Sequence, residues 1–202
     1  MNGFYLALEG GEGAGKTSVA TRLAEILRGE GETVVVVREP GGTPLGEEIR
    51  RLLLHSSALS PWSEALLFAA QRAQLVTEII RPALEKGSVV ISDRSLYSSL
   101  AYQGGARGLG VEEVREVNLR AVENLLPHLV LVLDVEAEVG LARQRDPDRI
   151  GGEGADFQER VMKTFAQLAA AEPQRVMLVR ATGDVDETVN RVLKMVNEHR
   201  GH

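Results

Sequence analysis

The sequence predicts an α/β protein in which a five-stranded parallel sheet is flanked by helices on both faces. Short runs rich in Val and Leu alternate along the chain with longer segments of helical periodicity. The short runs show little alternation of apolar and polar residues, which is typical of strands buried on both faces. The five predicted strands cover residues 4–8, 33–37, 88–92, 129–133 and 176–179.

Segments with helical periodicity fill the intervals between the predicted strands. In the first of them, residues 17–28, the side chains of Val19, Leu23, Ile26 and Leu27 fall on one face of a helix. The other helical patterns cover residues 63–85, 111–126, 137–145, 156–171 and 186–198. Strand–helix alternation of this kind favours a parallel sheet. Because no repeat or linker divides the chain, we expect a single domain covering residues 1–202.

The composition favours a globular protein that binds small ligands over a nucleic-acid or membrane-surface binder. Hydrophobic residues make up 44% of the chain, and 23 basic and 29 acidic residues give a net charge of −6. Without a general basic field, any anionic ligand must be held by a local group of Arg side chains. The absence of Cys excludes disulfides and thiolate metal sites. With no secretion signal and no membrane-length apolar run, we expect a cytoplasmic protein without membrane or nucleic-acid partners.

A glycine-rich segment between the first strand and the first helix matches the phosphate-binding pattern G-x-x-x-x-G-K-[ST]. Its glycines let the backbone curl so that N–H groups face phosphate oxygens, and the helix N-terminus adds its positive dipole end. Lys16 is placed to reach the β- and γ-phosphates, and the Thr17 hydroxyl to bind Mg²⁺. The motif predicts ATP-type nucleotide binding and a three-layer P-loop NTPase fold. The predicted nucleotide-binding residues are Gly10, Gly11, Glu12, Gly13, Ala14, Gly15, Lys16, Thr17 and Ser18.

Charged residues directly follow two of the predicted strands. Arg38 follows the second strand, and Asp93 and Arg94 follow the third. Because ligands of doubly wound sheets bind outside the carboxyl ends of strands, we expect these residues beside the phosphate loop. Guanidinium groups bind phosphate bidentately, so a second anionic ligand next to the triphosphate indicates a phosphate acceptor. Asp93 is a candidate Mg²⁺ ligand, directly or through water, or alternatively a helix N-cap.

Two glycine-rich loops are candidates for lids or for plain surface connectors. They cover residues 104–110 and 146–154, and the second follows a helix that carries Arg143 and Arg145.

No Asn is followed by Lys, so the guanine-reading N-K-x-D pattern of GTPases is absent. The residues alone leave open a small-molecule kinase or a non-catalytic nucleotide switch that works through a partner.

The chain resembles the bacterial type of the thymidylate kinase family over nearly its whole length. The segments that carry the resemblance are E-G at 9–10, R-E-P-G-G-T at 38–43, E-A-L-L-F-A-A-Q-R at 64–72, D-R-S at 93–95, S-S-L-A-Y-Q-G-G-A-R-G at 98–108 and D-R-I at 148–150. The resemblance implies a P-loop nucleoside monophosphate kinase that phosphorylates dTMP to dTDP with ATP and Mg²⁺, on the way to dTTP for DNA synthesis. Another P-loop kinase, or a switch, is the alternative.

The resemblance also implies roles for residues that would bind the nucleoside of dTMP. The residue that matches Phe68 stacks on the thymine ring, and the one that matches Arg72 donates to a base carbonyl. Residues that match Ser99 and Gln103 contact the base as well. The residue that matches Tyr102 lies under the sugar and disfavours a ribose 2′-OH. Phe68 and Arg72 are four residues apart, so they can share one face of a helix.

For the acceptor phosphate the resemblance implies Arg38, Arg50 and Arg94, with Glu12 near the sugar 3′-OH and the magnesium site. Because Glu12 is an anion, it cannot stabilise the negative charge on the transferred phosphoryl group. We expect an Arg of a lid at residues 143–155 to stabilise that charge.

The lid supplies three candidate cations. We expect Arg145 first and Arg149 second as the catalytic Arg, with Arg143 nearer the adenine. The predicted catalytic set is Lys16, Asp93, Arg94, Arg145 and Arg149. The resemblance further implies a homodimer with the helix at 64–85 in its interface.

Overall fold

The computed structural model describes residues 3–56, 58–142 and 149–201, and it has the predicted α/β architecture. Within these residues five parallel strands form one sheet in the order β2-β3-β1-β4-β5. The strands are β1 (Phe4–Gly10), β2 (Val34–Arg38), β3 (Val89–Asp93), β4 (Leu129–Asp134) and β5 (Val176–Arg180). Each predicted strand is confirmed, with ends that differ by one or two residues.

Helices cover both faces of the sheet. They are α1 (Lys16–Gly29), α2 (Pro44–His55), α3 (Pro61–Leu75), α4 (Arg81–Glu85), α5 (Leu96–Ser99), α6 (Val111–Ala121), α7 (Ala137–Ala142), α8 (Ala155–Ala171) and α9 (Val185–Arg200). A π-helical segment, Val76–Ile80, joins α3 to α4, and a second one, Leu100–Ala106, continues α5. A short 3₁₀ turn, Gly151–Glu153, precedes α8.

Several predicted helices have other boundaries in the structure. The segment 63–85 is α3, a π-helical turn and α4, and it starts at Pro61 because Ser60 caps it by accepting from the Ser63 N–H at 3.2 Å. The helix predicted for 111–126 ends at Ala121. The glycine-rich loop predicted for 104–110 is shorter, because Gly104 to Ala106 belong to the second π-helical segment. The last residues of the helix predicted for 137–145 lie outside the described residues.

Helix α2 was not predicted. Thr43 caps it by accepting from the Gly46 N–H at 3.0 Å, and Pro44 occupies its first turn. Its buried residues Ile49 and Leu53, four apart, pack into the core beside α3.

The core forms two clusters, one on each face of the sheet. Along β1, Leu6 and Leu8 face the cluster under α1 and α9, whereas Tyr5 and Ala7 face the cluster under the remaining helices. This alternation follows from the two-residue period of a strand, and both sets are buried because both faces are covered. Among the described residues, no helix combines the length and apolar character that a bilayer crossing requires.

The sheet register brings the candidate residues to one edge. Arg38 of β2 is paired with Asp93 of β3, and Asp93 is also paired with Leu8, two residues before the end of β1. The carboxyl ends of three strands therefore converge where the phosphate loop begins at Gly10.

Candidate active site

The phosphate loop leads from β1 into α1 and is held by close backbone contacts. Gly13 has a φ of 67°, and a Cβ there would overlap the carbonyl oxygen of Gly140 in α7. The Lys16 ammonium donates to the carbonyl oxygens of Gly10 at 3.2 Å and Gly11 at 2.8 Å. From α8, the Gln158 side-chain oxygen accepts from the Glu12 N–H at 3.3 Å. Contacts within the protein thus shape the loop.

A cavity of about 610 Å³ extends from this loop to the helices that cover β2 and β3. Most of the residues predicted for nucleotide and acceptor binding line it. These are Glu12, Gly13, Ala14, Gly15, Lys16, Thr17, Ser18, Arg38, Arg50, Phe68, Asp93, Arg94, Ser99, Tyr102 and Gln103. Of the predicted loop residues, Gly10 and Gly11 contribute carbonyl acceptors to Lys16 rather than cavity surface.

Thr17 and Asp93 meet at the loop end of the cavity. The Thr17 hydroxyl donates to Asp93 Oδ2 at 2.5 Å, so one hydroxyl and one carboxylate oxygen share a small volume. Among the described residues, no group of three or more His, Asp or Glu side chains is placed to hold a metal ion. This sparse oxygen set suits Mg²⁺, which keeps waters and phosphate oxygens as most of its ligands.

The acceptor-side arginines surround the middle of the cavity. Arg38 is half exposed and pairs with Glu47 at 3.2 Å, and Arg50 donates to the Pro40 carbonyl at 2.7 Å. Arg94 pairs with Glu12 and lies 5.0 Å from the centre of the Tyr102 ring. The structure brings these cations together at one side of the loop.

Arg94 has a strained backbone. Its φ is 73°, in the left-handed region that non-glycine residues rarely occupy. Its N–H donates to the Leu8 carbonyl at 2.9 Å, which ties this turn to β1. Such outliers concentrate at functional sites because they persist only when the surrounding contacts impose them.

The cavity lining also includes two aromatic side chains with a few polar groups. Phe68 on α3 and Tyr102 on the second π-helical segment are 8% and 3% exposed, and Ser99 and Gln103 lie beside them. Tyr102 donates to Glu12 Oε1 at 3.2 Å. A flat aromatic face with a few polar atoms can hold a planar base.

Arg72 lies behind these side chains rather than on the cavity surface. Its guanidinium, 2% exposed, donates to Glu39 at 2.6 Å, to the Ser95 carbonyl at 3.0 Å, to Ser99 at 3.2 Å and to Asn118. These four bonds use four of the five guanidinium hydrogens, and the fifth hydrogen is on Nη2.

The lid is described only from Arg149 onward, and Arg143 and Arg145 lie outside the described residues. Arg149 turns toward α2 and α3: it donates to the Leu53 carbonyl at 3.0 Å and pairs with Glu64 at 2.7 Å. Its neighbour Ile150 lines the cavity. Arg149 therefore packs against α2 and α3, and it is not among the residues that line the cavity with the phosphate loop.

Comparison with known proteins gives the family of this chain. The family model described as thymidylate kinase matches residues 8–192. The chain belongs to the thymidylate kinase family. A thymidylate kinase from Synechococcus sp. (strain JA-3-3Ab) is 50% identical over 95% of this chain and 94% of its own length. One from Deinococcus radiodurans is 45% identical over 99% and 98% of the two chains.

A solved structure of a family member shares the whole fold. The crystal structure of thymidylate kinase from Ehrlichia chaffeensis is 29% identical and covers 96% of this chain and 98% of its own, with a TM-score of 0.82. The P-loop NTPase fold predicted from the sequence is therefore confirmed.

Four buried polar residues that support this family site were not predicted as site residues. Glu39, Glu64, Asn118 and Gln158 are at most 4% exposed and hold Arg72, Gln103, Arg149 and the phosphate loop. The available signal for Glu64 was a charged residue inside an otherwise apolar helical run, S-E-A-L-L-F-A-A.

Burial and neighbouring charges set the ionisation of the loop. Burial, and then the nearby Arg94, lower the pKa of Lys16 to about 8, although Glu12, Asp93 and Glu9 oppose the shift. Burial of Glu12 opposes its ionisation, but Arg94 and Lys16 outweigh it and hold the pKa of this carboxyl below its usual range. Glu12 therefore stays an anion beside Arg94.

We expect Lys16→Ala to abolish phosphoryl transfer in a folded protein, because its ammonium serves the phosphate loop rather than core packing. The loss in kcat should be at least about 10²–10³-fold, as for other preorganised cationic or hydrogen-bond donors. Steady-state kinetics together with circular dichroism checks this, and Lys163→Ala, an exposed Lys on α8, is the matched control. An unchanged kcat in folded Lys16→Ala would contradict the phosphate-loop assignment.

The lowered pKa of Lys16 predicts that ATP binding takes up protons near pH 8. A pKa of about 8 means that the free protein loses this proton as pH rises through 8, whereas bound triphosphate favours the charged form. ATP affinity should fall above pH 8 and level off below about pH 7. Calorimetry at pH 8 in two buffers of different ionisation enthalpy should give uptake on the order of half a proton. Intact binding with no uptake would refute the assignment.

Proposed function

We propose that this chain transfers the γ-phosphoryl group of ATP to the 5′-phosphate of dTMP, giving dTDP and ADP, with Mg²⁺ bound at Thr17 and Asp93. The observation that carries the proposal is one continuous cavity that is lined by the phosphate loop, by Arg38, Arg50 and Arg94, and by Phe68. The family to which the chain belongs supports dTMP as the acceptor and ATP as the donor. The product leads to dTTP for DNA synthesis.

The proposed reaction needs positioned charge more than a base. The acceptor phosphate is already anionic at neutral pH, since its second pKa is about 6. None of the described residues that line the cavity is a His. Lys16 on the donor side and Arg38, Arg50 and Arg94 on the acceptor side would hold the two phosphate groups in line. Mg²⁺, when bound, would neutralise charge on the β- and γ-phosphate oxygens.

The alternatives from the sequence explain less of the site. A nucleotide switch needs the phosphate loop but has no use for three arginines beside it or for Phe68. A kinase for another acceptor would also need the arginines. The match to the thymidylate kinase family model, however, extends over residues 8–192 and includes Phe68. The structure therefore favours the dTMP kinase.

The proposal includes a cytoplasmic homodimer that acts on small molecules. Four apolar side chains on neighbouring helices α2 and α3, Leu45, Leu52, Trp62 and Leu66, are 40–53% exposed and would be covered by a second copy. The net charge of −6 supports small-molecule substrates over nucleic acid or membrane surfaces.

We expect dTMP to be the best acceptor, ahead of dUMP and far ahead of dCMP and AMP. Phe68 lines the cavity as a flat face, and we assign to a base carbonyl the remaining Nη2 hydrogen of Arg72, which lies behind the cavity surface and donates to Ser99 in the cavity wall. Cytosine presents an amino donor there, which leaves a buried donor unpaired at a cost of roughly 1–3 kcal/mol. A panel of monophosphates assayed with ATP tests this by kcat/KM. Equal kcat/KM for dCMP and dTMP would overturn the substrate assignment.

We propose that residues 143–155 form the lid of this single domain and that an Arg of the lid stabilises the transferred phosphoryl group. Glu12 in the phosphate loop is an anion, so a further cation is needed. Arg145→Ala should lower kcat by about 10³-fold or more with a smaller effect on KM. Arg149→Ala should lower it less, because Arg149 is paired with Glu64. Arg143→Ala should act mainly on the KM for ATP.

Steady-state kinetics of the three single variants checks this, with Arg120→Ala, an exposed Arg on α6, as the control. If no lid variant lowers kcat by even about tenfold, the lid assignment is wrong and Arg94 becomes the candidate.

A further inference from the structure

Glu64 is a buried carboxylate that the proposed reaction does not use, and it contacts Gln103, which lines the cavity. It lies on α3 one helical turn before Phe68, and its side chain is 2% exposed. A buried charge is costly unless it is paired and hydrogen-bonded. Its partners therefore indicate what it holds in place.

Three side chains donate to Glu64. Oε1 accepts from Gln103 Nε2 at 2.8 Å and from Arg107 Nε at 3.2 Å. Oε2 accepts from Arg107 Nη2 at 3.3 Å and from Arg149 Nη1 at 2.7 Å. Burial opposes its ionisation, but these donors outweigh burial and keep the pKa of Glu64 below its usual range. Glu64 is thus an anion that can only accept.

This fixes the orientation of the Gln103 amide. Because a carboxylate has no proton to donate, the Gln103 atom that faces it must be the NH₂ group. The amide oxygen then faces the other way. Gln103 lines the cavity, and among the described residues nothing donates to its side-chain oxygen. The side chain therefore presents an acceptor to the ligand.

We propose that Glu64 makes the site selective for bases with an imide N–H, thymine and uracil, by holding the Gln103 oxygen toward the base. The inference rests on the proposed function, since it assumes that a pyrimidine monophosphate occupies the cavity. Thymine N3 carries a hydrogen and can donate to that oxygen. Cytosine N3 carries a lone pair, so two acceptors would face each other. Glu64 is a positioning residue, because it acts through Gln103 and does not touch the base.

Replacing Glu64 by Gln should turn the Gln103 amide around, so that its NH₂ group instead of its oxygen faces the base. Arg107 and Arg149 can only donate, and the Oε2 position meets both of them, so the carboxamide oxygen should take that position. The carboxamide NH₂ would then face Gln103 and turn the Gln103 amide around. Gln103 would present a donor, which suits cytosine N3.

The test compares dTMP with 5-methyl-dCMP, which keeps the methyl group and changes only the base edge at C4 and N3. In Glu64→Gln the ratio of kcat/KM for dTMP to that for 5-methyl-dCMP should fall by about tenfold or more. The ratio of dTMP to dUMP, which share the imide, should stay within about twofold. If 5-methyl-dCMP turns over too slowly, its inhibition constant against dTMP replaces kcat/KM.

Two variants separate positioning from a structural role. Glu64→Asp keeps an acceptor-only group and should retain the wild-type ratio. In a Gln103→Met background, Glu64→Gln should have no further effect on the ratio, because the amide it acts through is gone. If Glu64→Gln does not fold, Gln103→Met alone tests the amide through which Glu64 acts. The ratio of dTMP to 5-methyl-dCMP should fall, and an unchanged ratio would overturn the role of Glu64.

The outcomes are distinct. A wild-type protein that does not prefer dTMP to 5-methyl-dCMP would overturn the proposed function itself. A wild-type protein that does prefer dTMP, with a ratio unchanged in Glu64→Gln, would overturn only the role of Glu64. Equal losses for dTMP and 5-methyl-dCMP would also overturn it, because they would show a merely structural effect.

Discussion

Two arginines in and behind this site are held in place by carboxylates. Arg72 pairs with Glu39 at 2.6 Å, with both side chains at most 2% exposed, and Arg94 pairs with Glu12. Such pairs add little net stability, because the desolvation of two charges offsets most of their attraction. They do hold guanidinium groups in place in a protein whose net charge is −6. A phosphate that enters finds its partners already oriented, so less reorganisation opposes binding.

The parts of the fold and site that could be predicted from sequence depend on local patterns. The strands were found because each is a continuous apolar run buried on both faces, and the phosphate loop because its residues are contiguous between a strand and a helix. The start signal of α2, Thr43 before Pro44, was also present. The periodic pattern that follows is weak, because Gly46 is a poor helix former and only Ile49 and Leu53 pack into the core.

The supports of the site could not be predicted because they join residues far apart in the chain. Glu39 lies 33 residues from Arg72, and Glu64 lies 39 residues from Gln103. In the sequence Glu64 is only a polar interruption of a helix, and Glu39 is only a charged residue that follows a strand. Only the packing of α3 against the second π-helical segment shows that Glu64 is buried and which donors surround it.

Glu9 shows how the donor and acceptor sides of the cavity become one unit. It is the residue before Gly10 at the end of β1, is fully buried, and accepts from the N–H and hydroxyl of both Ser95 and Ser98 at 2.5–3.1 Å. Burial raises the pKa of Glu9, and the serine hydroxyls oppose that shift. The strained φ of Arg94 costs about 1–3 kcal/mol, which hydrogen bonds to a carboxylate can offset. Because one side chain ties the strand that carries the phosphate loop to the turn that carries Arg94, the loop and this arginine keep a fixed separation, as transfer between two aligned phosphates requires.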